Sequence, residues 1–325
     1  MKKKKVILYK KIPTDLLNLL EDNFDVVFFN KINEENYSEF INQLPSAEGL
    51  IGSSFDLKGD ILDIANNLKV ISTISAGYDN FDVKQLTAKG IRLMHTPDVL
   101  TDTTADLVFT LLLSTARRVV ETSNFIYQGK WKKSIDESLF GTDVHHKKIG
   151  IVGMGKIGAA VAKRAYLGFD MEVLYTNRSR KPEVDNHYRA KWCSLDELLQ
   201  LSDFVCITLP LTKETERLIN KEKLLLMKSS SILINGGRGK IIDQNALIEV
   251  LKEKRILAAG LDVFEQEPLP LDSELLKLDN VVITPHIGSA TYETRYNMAK
   301  EAVYNLIEAF KVAKPKKNLV NSDVN

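Results

Sequence analysis

This sequence predicts an α/β protein with two parallel-sheet domains, and three observations lead there. Short apolar runs alternate with segments of helical spacing along nearly all 325 residues, as strands joined by crossover helices require. The runs form two sets, one ending near Thr101 and one beginning at Ile149, with a long helical stretch between them. The hexapeptide Gly153-Met154-Gly155-Lys156-Ile157-Gly158 opens the second set between an apolar run and a helical one.

The first set offers strands at Val6 to Tyr9, Val26 to Phe29, Gly49 to Gly52, Val70 to Ser75 and Ile91 to Met94. Helical segments separate them, such as Thr14 to Glu21, where Leu16, Leu17, Leu19 and Leu20 supply an apolar face. From Thr103 to Gln128 the apolar positions Leu107, Val108, Leu111, Leu112, Val119 and Val120 recur at helical spacing and predict one long helix. The second set gives strands at Ile149 to Val152, Val173 to Thr176, Phe204 to Leu209, Ile232 to Asn235, Ala258 to Leu261 and Val281 to Thr284. A second long helix, Tyr292 to Phe310, follows His286. Each set reads as a doubly wound sheet of the Rossmann or flavodoxin-like kind, with a cleft between the two.

Strand, glycine turn and helix is the setting in which G-x-G-x-x-G binds a dinucleotide. Gly153 permits the tight turn, Gly155 lets the backbone approach a pyrophosphate, and Gly158 packs the helix on the strand. The helix then points free N–H groups at the anion. An NAD-binding unit carries an acid about 20 residues on for the ribose. Glu172 fits that count, but it begins the next strand, and ribose binds at the strand's carboxyl end. That end reads Asn177-Arg178-Ser179-Arg180, two guanidiniums and a hydroxyl, which suit a 2′-phosphate. NADP(H) is therefore expected over NAD(H), with NADH a weaker cofactor.

Composition narrows the classes. With 44% hydrophobic and 27% charged residues the chain is ordinary for a water-soluble protein. A net charge of +1 gives no field favouring nucleic acid or a membrane surface. Lys2 to Lys5 precede only four apolar residues before Lys10, too few for a signal peptide. The run Leu107 to Leu113 is too short to span a bilayer. Cys193 and Cys206 lack metal-ligand spacing and read as reduced core residues of a cytoplasmic protein. His145-His146, adjacent and followed by two lysines, are not spaced as ligands, so no metal is expected.

Ligands of open α/β sheets bind beyond the carboxyl ends of the strands. In the second set those ends carry Pro210-Leu211-Thr212, then Asn235-Gly236-Gly237-Arg238-Gly239, then Asp262 with Glu265 and Glu267 beyond, then Pro285-His286-Ile287-Gly288-Ser289. One Arg, several acids and one His converge there, and His286 stands out among five histidines. The set suits carbonyl reduction. A carbonyl oxygen gains negative charge as hydride arrives, and His is the natural proton donor at neutral pH. A carboxylate such as Glu267 orients the ring, and Arg238 can hold a substrate carboxylate through forked donors.

The motifs "NGGRG" at 235–239, "GLDVFEQEPL" at 260–269 and "PHIGSAT" at 285–291, with the glycine hexapeptide, resemble those of the D-isomer-specific 2-hydroxyacid dehydrogenases along nearly the whole chain. With "STISAGYDNFD" at 72–82 and "HTPDVLTDTTAD" at 95–106, the chain looks most like the bacterial glyoxylate/hydroxypyruvate reductases that also reduce 2-ketogluconate. The resemblance implies that His286 is the proton donor, Glu267 its partner and Arg238 the cation that orients the substrate. It implies that amides at Ala76 and Gly77 hold the substrate carboxylate. It also implies that Thr104, Lys156, Ile157, Pro210, Gly236, Gly237 and Asp262 line the cofactor, Asp262 near the carboxamide. A discontinuous substrate domain (1–102 with 289–325) and a cofactor domain (103–288) follow from it, as does a homodimer built partly by residues 103–148, with Trp131 an interface anchor or a visitor to the partner's site. Glu at 267 departs from the similar formate dehydrogenases, which use Gln, and no regulatory domain is expected after residue 325. Two other readings stay open. One is an NAD-linked 3-phosphoglycerate dehydrogenase, which needs a cationic phosphate site in the first domain that the residues do not identify. The other is a nucleotide-sensing, co-repressor-like binding protein.

Overall fold

The computed structural model describes residues 2–312, 315 and 317–324. The chain divides into two compact units, Met1–Leu100 with Ser289–Asn325, and Thr101–Gly288. The division falls just ahead of the expected 102/103 border because Thr101 already begins the first helix of the second unit.

In the first unit the strands are β1 (Lys5–Leu8), β2 (Asp25–Phe28), β3 (Gly49–Gly52), β4 (Val70–Thr73) and β5 (Arg92–Met94). They lie parallel in the order β2-β1-β3-β4-β5. Burial is complete along β3 and β4, whose near-continuous apolar runs befit central strands covered on both faces. The helix Tyr292–Lys311 packs on β3, β4 and β5, and the Ser72 hydroxyl donates to the Ala302 carbonyl at 2.7 Å. Phe40, Leu44, Leu62 and Leu86 belong to a second apolar cluster of this sheet.

In the second unit the strands are β6 (Lys148–Val152), β7 (Glu172–Thr176), β8 (Lys191–Trp192), β9 (Phe204–Ile207), β10 (Ile232–Asn235), β11 (Ala258–Leu261) and β12 (Val281–Ile283). Their order is β12-β11-β10-β9-β6-β7-β8, again all parallel. Strand order reverses between β6 and β9, so the chain leaves those two strands toward opposite edges and opens a crevice at their carboxyl ends. Helices Thr101–Ala116 and Lys156–Phe169 share one apolar cluster with Ile149, Ile151 and Val173. The helices Leu195–Leu201 and Gln244–Lys252 share another with Val152, Val205 and Leu233.

Several local expectations change. The single helix expected over 103–128 is two helices, Thr101–Ala116 and Val119–Tyr127. Arg118 breaks it with a left-handed backbone, φ 53°. Its guanidinium donates to both oxygens of Glu121 at 2.6 and 2.7 Å and to the carbonyls of Ser138 and Phe140. Four charge-assisted bonds can hold a conformation that costs about 1–3 kcal/mol. Strands β4 and β9 stop before Ser75 and Leu209, and the short edge strand β8 was not anticipated. Of the two cysteines, Cys206 is a core residue, and burial pushes its thiol up to about 12. Cys193 is only partly buried.

Candidate active site

The glycine turn comes first because it is the most constrained. Gly153 adopts φ +104°, and a Cβ there would lie 2.8 Å from the Leu209 side chain. Its N–H donates to Thr176 of β7 at 3.0 Å, and its carbonyl accepts from the Thr208 hydroxyl at 2.7 Å. The turn is thereby tied to the two strands that flank β6, to the end of β7 on one side and to the residue after β9 on the other. At Gly158 a Cβ would lie 2.3 Å from the Gly153 carbonyl oxygen, so the first turn of the Lys156–Phe169 helix touches the loop. At Gly155 the same atom would meet nothing within 4 Å. The helix's first N–H groups have no intrahelical acceptor and face that open space. A pyrophosphate fits there. Lys156 and Ile157 open the helix, the first exposed and the second half-buried.

Beyond β7, Asn177 is half-buried while Arg178, Ser179 and Arg180 are exposed. Trp192 of β8 donates its indole N–H to the Asn177 carbonyl at 3.1 Å and fixes the turn. The two guanidiniums differ. Arg180 donates through Nε to Asp185 at 2.5 Å, whereas Arg178 adds to the positive field that helps hold Glu214 below the ordinary carboxylate range, after that carboxylate's hydrogen bonds to Thr212 and its own backbone. Glu172 sits at the opposite, amino end of β7, and its carboxylate accepts from Lys191 at 2.8 Å.

The Arg, Glu and His of the second unit come together. His286 Nδ1 lies 2.6 Å from Glu267 Oε2, and Glu267 Oε1 accepts the Phe264 N–H at 3.0 Å. Burial pushes the Glu267 carboxyl up, but the His286 bond, the Phe264 N–H and the charges of His286 and Arg238 outweigh it and hold the group below its usual range. An ionised carboxylate only accepts, so Nδ1 carries a hydrogen and Nε2 is left for other work. His286 keeps 47% of its side-chain surface. Arg238 is half-buried, with one guanidinium nitrogen 2.9 Å from the Gly237 carbonyl. Gly236 and Gly237 form the turn before it, where the Gly237 N–H donates to the Asn235 side chain at 3.0 Å.

His286 is held in a left-handed conformation, φ 53°, and Asp262 is what holds it. The Asp262 carboxylate, 2% exposed as a residue, accepts Thr284 Oγ1 at 2.6 Å, the Ile287 N–H at 2.8 Å and the Gly288 N–H at 2.9 Å. Its carbonyl accepts the His286 N–H at 2.9 Å. Burial raises its carboxyl pKa against the pull of these donors. Thr104, buried in the Thr101–Ala116 helix, lies beside Gly288, and Pro210 is exposed after β9. The resemblance placed Asp262 at the cofactor; its visible work is latching the 284–288 loop.

In the first unit, Ala76 and Gly77 follow β4. Their carbonyls are occupied, Ala76 by His95 Nδ1 at 2.9 Å and Gly77 by the Ser75 hydroxyl at 2.6 Å. Neither N–H donates to an acceptor among the described residues.

Residues 109–288 match the NAD binding domain of the D-isomer specific 2-hydroxyacid dehydrogenases. The chain is also 55% identical to glyoxylate/hydroxypyruvate reductase B of Yersinia pestis (strain Pestoides F), over 99% of this chain and 98% of that one. This chain belongs to the D-isomer specific 2-hydroxyacid dehydrogenases. Among solved structures, a protein of Thermus thermophilus superposes with a TM-score of 0.88 at 41% identity, covering 97% of this chain and 99% of that one. An NADPH-dependent glyoxylate/hydroxypyruvate reductase from Sinorhizobium meliloti, in complex with NADP and malonate, gives a TM-score of 0.86 at 27% identity, covering 99% and 98%.

Sequence reading of this dehydrogenase passed over three residues that shape the site. Thr208 and Thr284 are polar residues at the carboxyl ends of β9 and β12, so the strand-end rule could have found them. His95 directly follows β5 and is a second strand-end histidine, in the first unit, where it pins Ala76.

Proposed function

We propose that this dehydrogenase reduces small 2-oxo acids with NADPH, glyoxylate and hydroxypyruvate first, with 2-keto-D-gluconate as a further substrate. The observation that carries the reading is the His286–Glu267 pair at 2.6 Å, with Arg238 close enough for its charge to act on Glu267. The Yersinia pestis relative, named glyoxylate/hydroxypyruvate reductase B, supports the substrates. The Sinorhizobium meliloti enzyme with its bound NADP supports the phosphorylated cofactor, as does the exposed Arg178-Ser179 turn.

A nicotinamide dinucleotide, when bound, supplies hydride to the carbonyl carbon. Gly153, Gly155 and Gly158, with the N–H groups of Lys156 and Ile157, hold its pyrophosphate; Asn177, Arg178, Ser179 and Arg180 surround the adenosine 2′-phosphate. Thr104, Pro210, Gly236, Gly237 and Asp262 line the remainder. His286 Nε2 donates the proton that the reduced oxygen needs. Glu267 keeps Nδ1 protonated and the ring aimed, so the proton leaves from one atom only. Arg238 binds the substrate carboxylate and polarises the adjacent carbonyl through its charge. In the first unit the Ala76 and Gly77 N–H groups take a carboxylate oxygen.

Exposed Val119, Val120, Ile126, Tyr127, Trp131, Ile135 and Phe140 form an apolar stretch on the second unit that supports a homodimer. Among the described residues no helix is long and apolar enough to cross a membrane. Two free cysteines and the near-zero net charge support a cytoplasmic enzyme without nucleic-acid partners.

The test is kcat/KM for NADPH and NADH side by side over glyoxylate, hydroxypyruvate, pyruvate and 2-keto-D-gluconate. Consumption of NADPH with the first two is expected. Cofactor binding without turnover of any of the four would move the reading to a nucleotide-sensing protein.

A further inference from the structure

Two adjoining peptide units of the first unit, Ser75–Ala76 and Ala76–Gly77, carry the N–H groups assigned to the substrate carboxylate. A peptide unit is planar and trans, so its carbonyl and its N–H point in opposite directions. Whatever grips the carbonyl therefore aims the N–H. The Ser75 carbonyl accepts the Thr96 N–H at 2.9 Å, and the Ala76 carbonyl lies 2.9 Å from His95 Nδ1. A carbonyl only accepts, so Nδ1 carries the hydrogen. Consecutive residues beyond β5 thus hold consecutive carbonyls beyond β4, its neighbour in the sheet. Both N–H groups are left pointing away from His95 and Thr96, with no acceptor among the described residues.

His95 is itself held on several sides. Its N–H donates to the Asn318 carbonyl at 3.0 Å, and its carbonyl accepts from Asn305 Nδ2 at 2.9 Å. Asn318 Nδ2 donates to Asn305 Oδ1 at 3.1 Å and to Glu301 Oε1 at 3.0 Å. Glu301 and Asn305 stand one turn apart on the Tyr292–Lys311 helix. Asn318 belongs to a segment laid along β5, where Leu319 bridges Met94 in the antiparallel sense and the Val320 N–H donates to Leu93 at 2.8 Å. The Tyr78 ring meets the His95 ring edge-on, with centroids 5.5 Å apart. Asn305 is 5% exposed, and a buried amide network of this kind holds one geometry because each member that leaves strands its partners. The arrangement also carries costs. Asn318 sits at φ 62°, and Glu301 Oε2 is buried with no hydrogen-bond partner among the described residues. Costs of both kinds gather at functional sites.

We propose that His95 is a positioning residue for substrate binding: with the Thr96 N–H it aims the Ala76 and Gly77 amides at the substrate carboxylate, and Asn305, Asn318 and Glu301 fix it in turn. This rests on the reading that those two amides take the carboxylate of a 2-oxo acid. It makes the segment around Asn318, far from β4 in the chain, a determinant of substrate affinity. The carboxylate keeps its charge throughout hydride transfer, so misaimed amides weaken ground state and transition state alike. KM then rises while kcat stays.

The test replaces His95 by Phe and by Asn. Phe keeps a ring beside Tyr78 but brings no donor, whereas Asn carries its Nδ2 as many bonds from Cα as the imidazole Nδ1. H95F should raise KM for hydroxypyruvate about three- to tenfold, with kcat and KM for NADPH within about twofold of wild type. H95N should recover most of that loss. Asn318→Gly keeps the left-handed backbone and removes only the side-chain amide, so it should raise KM about threefold and carries the test should H95F fold poorly by circular dichroism. Calorimetric titration of the whole protein with D-glycerate, NADP present, should show the same order in Kd. An unchanged KM in well-folded H95F overturns the role, as does an H95N no better than H95F or a loss spread equally over kcat and KM for NADPH. A wild-type protein that turns over no 2-oxo acid, yet keeps the Kd contrast, would defeat the proposed reaction and leave the positioning role standing.

Discussion

Replacing Gly155 and Gly158 by alanine, one at a time, should separate cofactor binding from folding. At Gly155 the backbone is at φ −85° and ψ −162°, open to any residue, and an added methyl meets no protein atom within 4 Å. Two small effects oppose each other in the fold. Alanine restricts the unfolded chain and stabilises by about 0.4–1 kcal/mol, while Ala is a poorer N-cap than Gly by a similar amount. The Tm of G155A should therefore stay within about 2 °C of wild type. The methyl instead occupies the space assigned to the pyrophosphate, and overpacking of that size costs about 1–3 kcal/mol. NADPH affinity, read by fluorescence titration, should fall by about fivefold to about 150-fold. Gly158→Ala reverses the pattern. Its methyl would lie 2.3 Å from the Gly153 carbonyl oxygen, the same oxygen that accepts from Thr208 at 2.7 Å. Moving that carbonyl strains the turn and weakens its tie to β9, about 2 kcal/mol together, or about 5 °C in Tm. A G155A protein that binds NADPH like wild type would refute the placement of the pyrophosphate, and an undiminished Tm in G158A would refute the packing argument.

Three other outcomes are expected. In Glu267→Gln the charge on the His286 partner is lost; with side-chain exposures of 35% and 47% at the pair, the low end of a charge-assisted bond applies, about 1.5 kcal/mol or tenfold in kcat/KM. Because the folded carboxyl is depressed, the wild-type ion pair persists above the ordinary carboxylate range and is lost only as pH falls through the lower folded value. An acid limb below the ordinary glutamate range in the wild-type profile, absent from E267Q, would show it, and an identical limb in both would count against the assignment. Arg178→Gln should reduce the NADPH-to-NADH selectivity about tenfold, and Arg180→Gln less, since Arg180 is already held by Asp185; equal effects would contradict the division of labour. In Asp262→Asn an amide would confront the Gly288 N–H, 2.9 Å from the present carboxylate oxygen, leaving a buried donor unsatisfied. A loss of about 1–3 kcal/mol is expected by chemical denaturation, with kcat falling as the 284–288 loop loosens; wild-type stability would remove Asp262 as the latch.

Much of this was legible in the residues. Gly49–Gly52, Ile232–Asn235 and Ala258–Leu261 could be delimited to the residue because each is a short apolar run with polar or glycine residues at its end. Arg238, Glu267 and His286 could be gathered from the chain alone, since parallel strands put their carboxyl ends on one side of a sheet. Illegible features depend on partners distant in sequence. Helical spacing continues unbroken through Arg117-Arg118, and two of the four bonds that hold the left-handed Arg118 go to the carbonyls of Ser138 and Phe140, which only the fold brings there. Lys191 and Trp192 look like loop residues until pairing with Leu174 and Tyr175 makes them an edge strand.

By itself, then, the sequence determined most of the strands, the glycine turn and which polar residues stand at the strand ends, because these follow from local periodicity and a fixed chain direction. The tertiary structure decided how individual charges are used. Glu172 goes to Lys191, Arg180 to Asp185, and Asp262 to the backbone that bends around His286. Lys10 and Arg295, far apart in the chain, become neighbours without a carboxylate to share among the described residues. Electrostatic partnership depends on distance and burial, and neither is written in the order of residues.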